Sequence, residues 1–188
     1  MIKTCKTTLT AIALASLSLV AACDEQDKAP AETATRDDGT LTLAAGLGAD
    51  EQLDTLRGAI EQSELSGVLE GAASYTMLAP RDAAFEALGE EGAYLLREEQ
   101  RPLLVAILRD HLLPGHLTPE AIGEAIDQAG GPVTMTTLGH TTVTFERDGD
   151  RLSVAAGDTS RATIVGAAIA ANNGVVIPID AVLLPPKG

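Results

Sequence analysis

The chain has 188 residues, with 13 Lys and Arg against 27 Asp and Glu for a net charge of −14, a length that suits one domain plus an extension. Such a surface repels phosphate backbones and anionic headgroups, and Tyr75, Phe85, Tyr94 and Phe145 are the only aromatic residues, too few for a base-stacking platform, so nucleic acid is excluded as a partner. Both cysteines, Cys5 and Cys23, lie near the N-terminus, which excludes a disulfide framework and leaves the core to hold the fold.

Lys3 and Lys6 precede an apolar stretch, Leu9 to Ala22, interrupted only by Thr10, Ser16 and Ser18. It is too short for a membrane span, and a basic start, a short apolar middle and small residues before a cut site read as a secretory signal over residues 1–22. Leu19-Val20-Ala21-Ala22-Cys23 resembles the lipobox of bacterial lipoproteins, with Val20 where Leu is commoner. The resemblance implies cleavage before Cys23 and a diacylglycerol on its thiol, so the protein is expected to be exported and held by lipid in a bacterial cell envelope, its domain in the periplasm or at the cell surface. Asp24, next to the modified residue, implies inner-membrane retention under enteric-type sorting. The alternative is an ordinary signal cut near Ala22, which would send a free thiol into an oxidising compartment. Removal of residues 1–22 takes away two lysines and no acid, so −14 becomes −16 over 166 remaining residues. Residues 23–39 then read as the lipidated Cys23 plus a disordered acidic tether, since Asp24 to Gly39 contains no large apolar residue. Its reach is about 50–55 Å extended and roughly 20–25 Å relaxed.

A single domain is expected over residues 40–188. Leu41 to Ala45 is ambiguous between strand and helical turn. Asp50 to Gln62 reads as a helix, with Leu53, Leu56 and Ile60 on one face, and Leu65 to Leu69 as a further helical turn. Tyr75 to Ala79 is a short strand stopped by Pro80, and Asp82 is placed to cap a helix over Ala83 to Leu88. Glu98 to Asp110 reads as a helix with Pro102 in its first turn and Leu103, Leu104, Ile107 and Leu108 as its buried stripe. Leu112 to Leu117 is a brief strand around Pro114-Gly115. Thr118-Pro119-Glu120 starts a helix that ends at Gly130-Gly131. The period then changes to two: Val133, Met135 and Thr137, then Val143 and Phe145, then a hairpin turn at Asp148-Gly149 leading to Leu152 and Val154. Ala162 to Ala170 and Val175 to Leu184 complete the strands, the second after a reversal at Asn172-Asn173-Gly174. Helices followed by mostly antiparallel strands make an α+β domain with a small sandwich or wedge-shaped barrel.

Three segments carry a family likeness. Tyr75-Thr76-Met77-Leu78-Ala79-Pro80-Arg81-Asp82-Ala83-Ala84-Phe85, His111-Leu112-Leu113-Pro114-Gly115, and Asn173-Gly174-Val175-Val176-Ile177-Pro178-Ile179-Asp180-Ala181-Val182-Leu183-Leu184-Pro185 resemble, in order and spacing, the three boxes of the fasciclin (beta-Ig-H3/fasciclin-like) domain. The resemblance spans roughly Leu41 to Pro185 and implies a fasciclin-like wedge-shaped β-sandwich with N-terminal and flanking helices. The family-motif residues are Thr76, Ala79, Pro80, Asp82, Phe85, His111, Pro114, Gly115, Asn173, Gly174, Asp180, Leu183 and Pro185, read as mainly structural. Asp180 interrupts an aliphatic strand and needs backbone or hydroxyl partners. Pro178 cannot donate in a ladder, which places it on an edge or a bulge. The chain departs from the family in four places. Asp110 replaces the Tyr that some animal members use in adhesion, Ile177 the closing His, Ala168 an acidic residue and Arg81 a Thr.

Motifs for catalysis are scarce. The chain has three histidines, His111, His116 and His140. His111 and His116 straddle Pro114-Gly115 at poor spacing for a shared metal, so no metal is expected, and a packed core histidine is the favoured role for His111. Gly46-Leu47-Gly48 lacks the third glycine of a nucleotide fingerprint, and Asp148-Gly149-Asp150 lacks the later Glu of a calcium loop. No cofactor and no catalytic residue is expected. The resemblance implies a non-enzymatic, monomeric binding or adhesion module contacting an envelope protein or glycan. Two alternatives are a hydrolase using Asp110 and His111, and a small-ligand carrier with an apolar pocket in the wedge.

Overall fold

The computed structural model describes residues 35–184. The signal reading over 1–22, Cys23, the tether up to residue 34, and Pro185 lie outside those residues. Among the described residues, no helix is long and apolar enough to cross a membrane.

The end of the expected tether is part of the fold. Arg36–Asp37 form β1, which pairs in parallel with β8 (Ile169–Ala171). The ambiguous segment after it resolves as α1 (Leu43–Leu47), capped by the Thr42 hydroxyl, which accepts from Ala45 N–H at 3.2 Å. Asp50 accepts from Gln52 N–H at 3.0 Å and opens a 3₁₀ turn over Glu51–Leu53, which runs into α2 (Asp54–Ser63). Leu53, Leu56 and Ile60 are buried as their spacing predicts. The short α3 (Ser66–Leu69) precedes β2 (Tyr75–Pro80).

Helix α4 (Asp82–Ala87) is followed by α5 (Glu90–Leu95), where no element was expected. It has six residues with a glycine at its centre, so its apolar pattern is too short to register. The next helix begins as a 3₁₀ turn, Glu98–Gln100, and continues as α6 (Arg101–Asp110). Its buried stripe excludes Leu103, which is 42% exposed, and comprises Leu104, Ile107 and Leu108. Leu103 lies one residue, about 100° of helical turn, off that line. After β3 (Leu112–Pro114) comes α7 (Pro119–Ala129), with Thr118 as N-cap and Gly130 in the left-handed conformation at its end.

Four antiparallel strands make the second sheet: β4 (Val133–Thr136), β5 (Thr142–Asp148), β6 (Arg151–Ala156) and β7 (Ser160–Thr163), in that spatial order. Asp148 pairs with Arg151 across the hairpin turn. The first sheet has the order β1-β8-β9-β2-β3, where β9 is Gly174–Ile179. The strand expected over Ala162 to Ala170 is two strands in different sheets. The chain leaves the second sheet after Thr163 and crosses through Gly166, whose φ of +69° breaks the extended run. The last expected strand is shorter than Val175 to Leu184, ending at Ile179.

Strand β9 lies inside its sheet, between β8 and an in-register parallel β2. Pro178 is therefore not on an edge strand. β8 reaches only to the Val176 register, so the missing N–H of Pro178 falls beyond the end of that neighbour, and its carbonyl accepts from Val165 N–H at 2.9 Å. The alternation of β2 and β9 divides the interior. Met77, Ala79 and Val176 pack with Leu43, Leu56, Leu104 and Leu108 in a core under the helices. Leu78, Val175, Ile177 and Ile179 pack with Phe145, Val154, Ile122 and Ile126 in a core between the sheets and α7. The architecture is α+β, as expected: helices, a five-stranded mixed sheet and a four-stranded antiparallel sheet in layers.

Candidate functional site

The three boxes supply the neighbouring strands β9, β2 and β3 of the first sheet, and their polar residues are spread along it, with His111 where α6 meets β3 and the closing segment. His111 is the C-cap of α6 and is 1% exposed. Its Nδ1 lies 2.8 Å from the carbonyl of Ile107, and its Nε2 accepts from Leu183 N–H at 3.0 Å. A carbonyl only accepts and an amide N–H only donates, so the partners require a neutral imidazole with its proton on Nδ1. Burial lowers the pKa of His111 from its ordinary value, against the opposing pull of the Ile107 carbonyl and the Asp110 carboxylate.

Asp110 faces elsewhere. Its Oδ1 accepts from the Thr137 hydroxyl at 3.1 Å, and that hydroxyl in turn accepts from Thr141 N–H at 3.1 Å. Gly139 passes so close that a Cβ there would collide with the Asp110 carboxylate. Asp110 thus ties down the 137–141 turn while His111 ties down the C-terminal segment. With both ring nitrogens of His111 committed to backbone partners, the pairing of Asp110 and His111 as orienter and base for hydrolysis is not made.

The other motif residues do similar work. Thr76 is fully buried, donates to Gly115 O at 2.9 Å and accepts from Leu117 N–H at 2.8 Å, which holds the turn after the exposed Pro114. Gly115 needs its freedom there, at φ +100°. Ala79 and Phe85 are core residues, and Pro80 pairs with Ile179. Asp82 does not cap the helix that follows it, whose N-cap is Arg81 with no side-chain hydrogen bond. Its Oδ1 accepts from Thr55 N–H at 2.8 Å and so serves the first turn of α2 instead. Asp180 lies just past β9, is exposed, and finds a backbone partner: its Oδ1 accepts from Thr163 N–H at 2.6 Å. Leu183 is buried against the second core.

Asn173 joins three segments of the chain through its side chain. Its Oδ1 accepts from Leu43 N–H at 2.7 Å, and its Nδ2 donates to the carbonyls of Leu69 and Gly71, both at 2.8 Å. One amide therefore joins the start of α1, the end of α3 and the β8–β9 turn. Neither Asn172 nor Asn173 adopts positive φ. Gly174 is required for a different reason: a Cβ there would strike the carbonyl of Tyr75 on the neighbouring strand.

Two further residues carry contacts that no motif announced. Thr35 donates from its N–H and its hydroxyl to Glu120 at 3.0 and 2.7 Å, fastening β1 to the first turn of α7. Burial pushes the Glu120 carboxyl up, but hydrogen bonds from Thr35, its own backbone and Thr118 outweigh it and hold the group below its ordinary value. A carboxylate one residue into a helix was the available signal. His116 and His140 are exposed. Among the described residues, no three His, Cys, Asp or Glu side chains form a metal-holding group.

Comparison with known proteins places this geometry. The model of the Fasciclin domain matches residues 51–185. Protein sll1483 of Synechocystis sp. is 29% identical over 184 residues, covering 96% of this chain and 94% of that protein. The transforming growth factor-beta-induced protein ig-h3 of Sus scrofa is 30% identical over 136 residues, which cover 72% of this chain but 18% of the animal protein. Among solved structures, a FAS1 domain pair from the insect cell adhesion molecule Fasciclin I superposes with a TM-score of 0.68 at 18% identity, over 78% of this chain and 51% of that one.

Proposed function

The chain belongs to the fasciclin domain family, and from that premise we propose that it is a non-enzymatic binding module, held in a bacterial envelope by a lipid on Cys23 and contacting protein or glycan through its outer surface as a monomer. One observation carries the reading. His111, Asn173, Thr76, Asp82 and Asp180, polar family-motif residues of the three boxes, are spent on internal hydrogen bonds to backbone. Contact through the outer surface is the work left to such a domain, and Fasciclin I, which shares the fold, is a cell adhesion molecule. The lipobox-like sequence and the tether before Thr35 support a domain displayed at a distance from a membrane.

Cross-linking in intact envelopes followed by mass spectrometry tests the binding reading. A reproducible protein or glycan adduct, lost when exposed charges are scrambled, is the expected result. Adducts no different from those of the scrambled-surface control would remove the reading. Anchoring is tested separately: Cys23→Ser should release the protein from the membrane fraction, and continued retention would count against the lipid.

A further inference from the structure

A hollow of about 350 Å³ lies among α1, α2 and α3, on the helical side of the first sheet and not in the wedge between the sheets. Leu47, Ile60 and Leu69, all buried, make its floor, with Ala44 beside them. Its rim carries Thr42, Ser66, Arg57, Glu61 and Glu70. The walls are held in place: Asn173 bonds Leu43 N–H at the start of α1 and the carbonyls of Leu69 and Gly71 at the end of α3. The two short helices that frame the opening thus share one anchor, which is the preorganisation a ligand site needs.

The rim charge selects the ligand. Arg57 is paired with Asp54, 2.9 Å away, in an exposed ion pair that offsets part of its charge. Glu61 and Glu70 have no ion-pair partner among the described residues, whereas nearby Glu64 is paired with Arg101. Two carboxylates without counter-charges therefore stand over an apolar floor. An anion is repelled there, and a neutral apolar molecule gains nothing from the two exposed carboxylates. A molecule with an apolar body and one ammonium group satisfies both surfaces. We propose that this hollow is a binding site for small amphipathic organic cations, primary alkylammonium compounds in particular. The site is separate from the partner-contact reading and does not depend on it.

Titration of the full ¹⁵N-labelled chain at low ionic strength with hexylammonium, and in parallel with hexanol, tests the proposal. Hexylammonium should give saturable shifts at Ala45, Ser66 and Glu70, with hexanol binding about fivefold or more weakly. A chain carrying both Glu61→Gln and Glu70→Gln should lose that preference and leave hexanol binding unchanged. Ala45→Phe, at an exposed helix position beside the opening, should block both probes without unfolding the domain. Equal affinity for the two probes, wild-type ammonium binding by the Gln variants, or shifts that never saturate would each overturn the assignment.

Discussion

Replacement of His111 by Phe fills the imidazole's volume but removes both of its hydrogen bonds. The Ile107 carbonyl and the Leu183 N–H then stay in a site where the native ring is 1% exposed. A buried backbone group left without a partner costs about 1–3 kcal/mol, so two of them cost roughly 2–6 kcal/mol. Against a total stability of about 5–15 kcal/mol for a domain, that is a large fraction. Urea unfolding of wild type and His111→Phe at pH 7.5 measures it. The same pair carries a pH signature. The folded pKa of His111 is depressed below the ordinary 6.5, so the unfolded chain binds the extra proton first. The stability from the neutral ring is complete above about pH 6.5 and is lost as pH falls from there towards the folded value. The slope is at most about 1.4 kcal/mol per pH unit. The Phe variant lacks this group, and its other titrating groups are shared with wild type, so the gap between the two proteins should narrow between pH 7 and pH 5. A variant within about 0.5 kcal/mol of wild type at pH 7.5, far below the roughly 2–6 kcal/mol expected, would refute the two-bond account. A gap that stays constant or widens on acidification would refute the assignment of a neutral, Nδ1-protonated ring.

Asn173→Ala should destabilise the domain by about 2–4 kcal/mol, since it strands one N–H and two carbonyls in a part-buried site where water recovers some of the roughly 1–3 kcal/mol that each would cost if fully buried, and hydrogen exchange at Leu43 should accelerate more than exchange at Val154 in the other core. Asn173→Asp keeps the acceptor for Leu43 and loses the two donors, so its Leu43 protection should fall between the other two proteins. Gly174→Ala drives a methyl into the Tyr75 carbonyl and should lower the thermal midpoint by about 10 °C or more, the result of a backbone clash of a few kcal/mol that no side-chain rotation relieves. Asp82→Ala should cost about 0.5–2 kcal/mol by uncapping α2, with Asp82→Asn recovering most of it, because either oxygen can accept from Thr55. Loss of stability equal in the Ala and Asn variants would show that charge and not the hydrogen bond matters there.

Legibility in the sequence followed the length of each element and the range of its contacts. Helix α7 was readable at both ends because Thr118, Pro119 and Gly130 act within the segment itself. The β5–β6 hairpin was readable because alternation and a turn glycine are local as well, although the turn sits at Gly149-Asp150, one residue later than Asp148-Gly149. Helix α5 is too short to show a period. β1 is two charged residues whose strand character comes wholly from the β8 edge, so nothing in Arg36–Asp37 could reveal it. The change of sheet at Gly166 hides inside an aliphatic run that reads as one strand. The role of His111 was within reach: Leu104, Ile107, Leu108 and His111 follow i, i+3, i+4 and i+7, the buried stripe of α6 continued into its cap. What periodicity could not supply was its partner, since Leu183 is distant in the chain and joined only by the fold. For the same reason Asp82 looked like a cap for its own helix, because the sequence shows the nearest helix start and not the one across the core.

Asp110 decides how much can be carried over from the adhesion-active members of the family. At this position they place a Tyr, and an exposed ring would offer a contact surface. Here the residue is 8% exposed and its carboxylate is held by Thr137, with Gly139 packed against it. An aromatic ring could not occupy that space without displacing the 137–141 turn, whose Leu138 and Gly139 N–H groups bond the carbonyls of Leu112 and Arg109. Ile177, in place of the closing His, is likewise fully buried between the sheets. Both departures therefore repack the interior and create no new surface chemistry. On the proposed binding role, recognition would fall to exposed residues, and substitutions at the buried box positions should alter stability before they alter binding.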